Sequence, residues 1–118
     1  MKLIIAGSRS VHLYAALLRG LDRSFFEDIT EVICGGARGA DSLGKRWAGI
    51  NDIKVTMFKA EWDKYGKTAG YIRNVQMADY CEPAEDGLLA LWDGHSSGTW
   101  NMITLARKRG LLVHVEQV

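Results

Sequence analysis

Apolar and polar positions along the chain fall into two alternating patterns. Short runs such as Lys2–Ala6, Glu31–Cys34 and Gly87–Trp92 show no two-residue alternation, as expected of strands covered on both faces. Between them apolar residues return at three- and four-residue spacing, the mark of helices with one packed face. Gly7-Ser8-Arg9 breaks the first run. Ser10 then predicts the cap of a helix with the stripe Val11, Tyr14, Leu17, Leu18, Leu21 and Phe25. Gly35-Gly36 closes the second strand, and a second helix is predicted from about Ala40, with Leu43 and Trp47 one turn apart. Ile53–Phe58, with β-branched Ile53, Val55 and Thr56, predicts the third strand.

Lys59–Ala69 reads as irregular and holds Trp62, Tyr65, Gly66, Lys59, Lys64 and Lys67. A helix is predicted from about Gly70 to Cys81, with Tyr71, Val75 and Ala78 on one side and Pro83 as its stop. The fourth strand, Gly87–Trp92, leads through the loop 93–98 into a last helix carrying Thr99, Met102, Ile103 and Ala106. Arg107-Lys108-Arg109 suit the negative end of that helix and Gly110 the residue just past it. Leu111–Val115 is the last strand. This order predicts an α/β fold, a parallel five-stranded sheet with helices on both faces, doubly wound with the first strand central. With 118 residues and neither internal repeat nor linker, residues 1–118 are expected to form a single domain.

Composition narrows the function classes. The hydrophobic content of 47% fills one core, and 15 basic against 14 acidic residues leave a net charge of +1. That balance argues against long nucleic acid held by bulk charge, but not against a small anion held by a local cluster. Cys34 and Cys81 lack metal-ligand spacing, and His12, His95 and His114 are scattered, so neither a metal site nor a cofactor is indicated. Cys34 is expected in a buried strand and Cys81 near a helix end. No apolar run spans a membrane, and the run from Leu3 ends at Gly7, too short for a signal peptide; a cytoplasmic location is the expectation.

Candidate chemistry gathers in three loops, each following a strand at its carboxyl end, where such folds bind ligands. The first is Gly7-Ser8-Arg9-Ser10, in which Arg9 can clamp a phosphate or carboxylate. The second, Gly35-Gly36-Ala37-Arg38-Gly39-Ala40-Asp41, packs three glycines ahead of a helix, the composition of an anion cradle. It is neither a dinucleotide fingerprint nor a P-loop. Asp41 suits a ribose hydroxyl or a helix cap. The third is Asp93-Gly94-His95-Ser96-Ser97-Gly98-Thr99, a second cradle by the same physics. Arg73-Asn74 can reach across the cleft to a phosphate or lie on a solvated face. Trp62 and Tyr65 can stack on a base or pack as a lid. His95, the histidine in these loops, can serve as a general acid or base or simply lie exposed.

Taken together, Ala6-Gly7-Ser8-Arg9, Gly35–Asp41, Trp62-x-x-Tyr65-Gly66-Lys67-x-Ala69-Gly70-x-x-Arg73-Asn74-x-x-Met77 and Trp92-Asp93-Gly94-x-Ser96-x-Gly98-Thr99-x-Asn101-Met102 resemble the YspA-type branch of the SLOG superfamily. Proteins of this kind are common in bacteria and their phages. The resemblance implies a Rossmann-like three-layer sandwich that binds a nucleotide or nucleotide-derived ligand. It also implies kinship with the LOG-type phosphoribohydrolases, which cleave the N-glycosidic bond of nucleoside monophosphates, and with the DNA-processing protein DprA. The LOG enzymes carry a glycine-rich turn, an E-R-K-x-x-M helix and a P-G-G-x-G-T-x-x-E loop. On these motifs the turn is similar to Gly35–Gly39, the arginine falls on Arg73, Met77 follows one turn later, and Gly98-Thr99 match the last loop. Met102 stands where the catalytic glutamate would be, and Ile72 precedes Arg73 in place of glutamate.

A thioether cannot move protons, so hydrolysis here requires another carboxylate, Asp41 or Asp93, beside Arg73. The leading reading is therefore a binding module, a sensor or sequestering domain for a small nucleotide-like ligand. Its ligand-binding residues are Gly7, Ser8, Arg9, Gly35, Gly36, Ala37, Arg38, Gly39, Asp41, Arg73, Asn74, Asp93, Gly94, Ser96, Ser97, Gly98 and Thr99. An N-glycosidic hydrolase is the alternative, and DprA-like DNA binding the third. Relatives often form dimers, and exposed apolar helix faces permit a homodimer or higher homo-oligomer.

Overall fold

The computed structural model of the chain describes residues 1–36 and 38–118. At its centre is β1 (Lys2–Gly7), whose residues from Leu3 to Ala6 are buried on both faces. Five helices follow in the chain: α1 (Tyr14–Arg23), α2 (Ala40–Ile50), the short α3 (Trp62–Tyr65), α4 (Ala69–Tyr80) and α5 (Ser97–Arg109). β2 (Glu31–Cys34) and β4 (Gly87–Trp92) flank β1, and β3 (Lys54–Met57) and β5 (Leu112–Gln117) form the edges. All pairs are parallel in the order β3-β2-β1-β4-β5, the doubly wound arrangement with the first strand central. Ile4 stands opposite Ile33 on one side and Leu88 on the other.

Alternate side chains of the inner strands face opposite layers. Leu3, Ile5, Val32, Leu89 and Leu91 pack with Leu17 of α1 and Ala40, Leu43 and Ala48 of α2. Ile4, Ala6, Ile33, Leu88 and Ala90 pack with Met77 and Ala78 of α4 and Met102, Ile103 and Ala106 of α5. Helices thus cover both faces, and inner strands buried on both sides explain the missing alternation. Cys34 and Cys81 are buried free thiols; burial pushes Cys34 up and Cys81 up to about 12, so neither is reactive at neutral pH.

Some boundaries differ from expectation. Ser10 does not cap α1: the helix starts after Leu13 with no side-chain cap. The Val11 N–H instead closes a turn on the Ser8 carbonyl at 3.2 Å, and Val11 enters the core ahead of the helix. The buried stripe of α1 is Ala16, Leu17 and Gly20, which leaves Leu18 half exposed and Phe25, beyond the helix end, 96% exposed. The inward side of α4 is Ala69, Asn74, Met77 and Ala78, while Tyr71 and Val75 face outward. A buried asparagine rotates this face away from the one hydropathy picks out. The expected irregular segment contains α3 and a 3-10 turn (Gly66–Thr68). β5 runs two residues past Val115, because Trp92 still pairs with Gln117. Gly110 adopts the left-handed conformation just past α5, as predicted.

Among the described residues, no helix is long and apolar enough to cross a membrane. Buried carboxylates are matched locally. Glu31 accepts from Thr56 and Tyr80. Asp86 accepts from the backbone N–H groups of Lys2 and Glu82. Glu116 accepts from Arg19 at 3.0 Å and Arg23 at 2.9 Å, with His114 Nε2 at 3.1 Å from its other oxygen. Burial pushes the Glu116 carboxyl up, but the bonds from His114 and Arg19 and the charges of Arg23 and Arg19 outweigh it and hold the carboxyl below its usual value.

Two predictions follow from the packing and the charge. A Cβ at Gly44 would lie 2.9 Å from Ile5 Cβ, whereas one at Gly49 would meet nothing within 4 Å. In urea denaturation, Gly44→Ala is expected to cost about 1–3 kcal/mol by overpacking, and Gly49→Ala to add about 0.4–1 kcal/mol through helix propensity and unfolded-state entropy. A carboxyl whose pKa is lower folded than unfolded adds stability above the usual carboxylate range and loses it as pH falls through the folded value. Glu116→Gln should therefore reduce stability by about 1–3 kcal/mol at neutral pH. The gap between variant and wild type should close in thermal melts taken toward about pH 3.

Candidate functional site

The chain winds outward from β1 to β3, then resumes on the other side of β1 with β4. This reversal opens a crevice beyond the carboxyl ends of β1 and β4. A cleft of about 480 Å³ lies there.

Close backbone contacts build its floor. A Cβ at Gly7 would strike the Leu91 carbonyl and Ala40, so the end of β1 fits between β4 and α2 only as glycine. Ser8, 1% exposed, donates its N–H to the Leu91 carbonyl at 3.0 Å, and its Oγ accepts from the Asp93 N–H at 3.2 Å. Ser8 thereby joins the first loop to the third. The turn closed by Val11 leaves Arg9 and Ser10 exposed on the rim. Gly39, at φ +75°, presses the second loop onto the backbone of Ser8 and Arg9, where any Cβ would overlap.

α4 ties the remaining parts together. Arg73 donates from Nη1 to the Gly35 carbonyl at 2.9 Å and from Nε to Asn74 Oδ1 at 3.2 Å. Its guanidinium fills the space a Cβ at Gly35 would take. The buried Asn74 donates from Nδ2 to the Gly98 carbonyl at 3.2 Å and to Asn101 Oδ1 at 3.0 Å. Burial pushes the Arg73 pKa down, Asp41 opposes this and Arg9 adds to it; the guanidinium stays cationic at neutral pH.

The third loop is self-braced. Asp93 Oδ1 accepts from the N–H groups of His95 and Ser96, both at 2.8 Å, and these bonds hold the Asp93 carboxyl below its usual value. Ser96 caps α5, its Oγ accepting from the Thr99 N–H at 3.3 Å and lying 3.0 Å from Thr99 Oγ1. Trp92 Nε1 donates to the Ser96 carbonyl at 3.0 Å.

The cleft brings together Gly7, Ser8, Arg9, Asp41, Arg73 and Asn74 with Asp93, Ser96, Ser97, Gly98 and Thr99. Gly35, Gly36 and Arg38 line an adjoining chamber together with Arg9 and Arg73. Gly39 and Gly94 line neither cavity; Gly94, at φ +86°, sits in a turn beside Gln117. Ala37 lies outside the described residues. His95 and Tyr65 also lie outside both linings, whereas Trp62 belongs to both. Ser10 of the first loop, Gly70 and Met77 of the quoted motif, and Tyr71 also line the cleft, although none of them was among the expected ligand-binding residues. Gly70, Asn74 and Met77 recur at helical spacing on one side of α4, a signal that apolar periodicity alone does not give because two of the three are not apolar side chains.

Met102, buried in the core, lines the cleft with a thioether. The first turns of α2 and α5 reach the cleft through Asp41 and through Ser97, Gly98 and Thr99, because helices antiparallel to parallel strands begin at the strands' carboxyl ends. Their positive ends favour an anion there. The two cavities are lined by five cationic side chains, Arg9, Arg38, Lys59, Lys67 and Arg73, against two carboxylates, Asp41 and Asp93. In a chain of net charge +1 this is a concentrated positive surplus.

The family model described as YspA, cpYpsA-related SLOG family matches residues 1–65. The chain is also similar to the Gene 61 protein of Mycobacterium phage D29, 34% identical over 122 residues that cover 95% of this chain and 93% of that protein. No solved structure matches it.

Asn74 is a structural test of the site. Asn74→Ala is expected to cost about 1–3 kcal/mol of folding free energy, because both hydrogen bonds donated by this buried side chain are lost. Chemical denaturation measures the loss, and amide exchange from Gly98 to Asn101 should accelerate.

Proposed function

Because the chain belongs to the YspA, cpYpsA-related SLOG family, we propose that its cleft binds a nucleotide or nucleotide-derived phosphorylated ligand, and that the protein acts as a sensor or sequestering module for it. The observation that carries this reading is the convergence of Arg73 and the first turn of α5 on one cleft of about 480 Å³, within the usual size for small-ligand sites. A phosphoryl group fits between the Arg73 guanidinium and the segment from Ser97 to Thr99, where side-chain charge and helix dipole act in the same direction. Asp41, on the α2 side, suits a sugar hydroxyl. Trp62 and Tyr71 offer aromatic faces for a base.

Binding without turnover is favoured by the chemistry of the lining. Cleavage at an N-glycosidic bond needs a carboxylate or other group that stabilises the sugar cation or activates water. Met102 supplies neither. Asp93 is committed to the backbone of its own loop and held ionised, so it is not a proton donor at neutral pH. Asp41 is the remaining carboxylate in the cleft.

Thermal melts with nucleoside mono-, di- and cyclic phosphates, ADP-ribose and NAD test the reading, with free base followed by chromatography. A ligand of this site should stabilise the protein by about 2.7 kcal/mol at a hundred times its dissociation constant. Gly98→Val should abolish that shift at little cost to the fold, since a Cβ at Gly98 meets nothing within 4 Å. Arg73→Ala should abolish it as well. Free base that accumulates with the wild type and not with Asp41→Asn would make the protein a hydrolase. Absence of a shift with every nucleotide would refute the binding reading.

A further inference from the structure

Beside the main cleft lies a chamber of about 320 Å³, and the two share Arg9, Trp62 and Arg73 as a common wall. Arg38 and Lys59 complete its charged lining, so four cations and, among the described residues, no carboxylate face it. Lys59 is brought there by the turn at Gly36: a Cβ on that glycine would meet Met57 Sδ at 2.9 Å and Lys59 Cγ at 3.6 Å. Lys2, Arg19, Arg23, Arg109 and His114, which form ion pairs elsewhere in the fold, are not among these four. Like charges gathered around one cavity repel one another, and an anion placed among them relieves the repulsion.

The main cleft is different in kind. Its lining mixes Asp41 and Asp93 with serine and threonine hydroxyls and two aromatic rings, a surface for a sugar, a base and one phosphate. In the chamber every charged side chain among the described residues is cationic, and no carboxylate or hydroxyl side chain is there to hold a sugar. Arg73, shared by both cavities, stands where a bridging group would pass from one to the other.

Building on the nucleotide reading above, on which it rests, we propose that the chamber of Arg9, Arg38, Lys59 and Arg73 is a subsite for a second phosphoryl group, which makes the preferred ligand a nucleotide with a pyrophosphate rather than a nucleoside monophosphate. Arg38 and Lys59 are exposed and their removal leaves the core untouched. They therefore separate the subsite from the fold, as Arg73 does not.

Titration calorimetry of the wild type and the Arg38→Ala/Lys59→Ala double variant, with AMP, ADP, GMP, GDP and inorganic pyrophosphate, tests this. The wild type should bind a diphosphate about tenfold or more tightly than the monophosphate of the same base. The double variant should lose that preference, and pyrophosphate should bind the wild type alone. Equal affinity of the wild type for mono- and diphosphate would overturn the proposal, as would a variant that retains the preference. Pyrophosphate binding that depends on Arg38 and Lys59, without binding of any nucleotide, would support the subsite and refute the nucleotide reading. Binding of none of the probes would overturn both.

Discussion

β1 is bonded to a neighbour along both edges and buried on both faces, and this fourfold enclosure dictates much of the rest. A strand so placed has side chains that can only pack. Its backbone is satisfied within the sheet, and its flanking strands must be apolar too. Groups with chemical freedom are thereby driven to the loops. Because the strands are parallel, the loops after β1, β2 and β4 emerge at one end of the sheet, together with the positive ends of the helices that follow them. The cleft results from this constraint, not from any single loop.

Charge is distributed to match. Glu31, Asp86 and Glu116 are buried carboxylates, and each is satisfied close to where it arises, by Thr56 and Tyr80, by backbone N–H groups, or by Arg19, Arg23 and His114. The cations around the cleft are not drawn into those pairs. A chain that is nearly neutral in total thus keeps a local excess of positive charge at a place where its backbone also favours anions.

Much of this architecture was legible in the residues. Unalternating runs at Lys2–Ala6 and Gly87–Trp92 mark doubly covered strands, and the glycines after them mark the open end of the sheet. Gly110 after three basic residues marks the end of α5 because two independent rules, charge and left-handed backbone, agree there. Legibility failed where polar residues do the packing. Asn74 is buried for its hydrogen bonds, so of a hydropathy stripe through Tyr71, Val75 and Ala78 only Ala78 lies on the buried side of α4. Ser10 has the right chemistry for a cap, but the Ser8–Val11 turn claims its segment first. The cleft residues were found through loop composition. Their contacts were not, since nothing in a linear pattern tells that Gly35 is small to admit an arginine from 38 positions later.

That fit between Gly35 and Arg73 sets unequal freedom to vary. Any side chain at position 35 must evict the guanidinium, and any replacement of Arg73 strands the carbonyl it holds. Arg38 and Lys59, which line the same chamber, are exposed and carry no such obligation. Drift and selection can therefore rewrite the outer wall of the cavity residue by residue while its inner anchor stays fixed. A scaffold of this kind can diverge in what it recognises without first relearning how to fold.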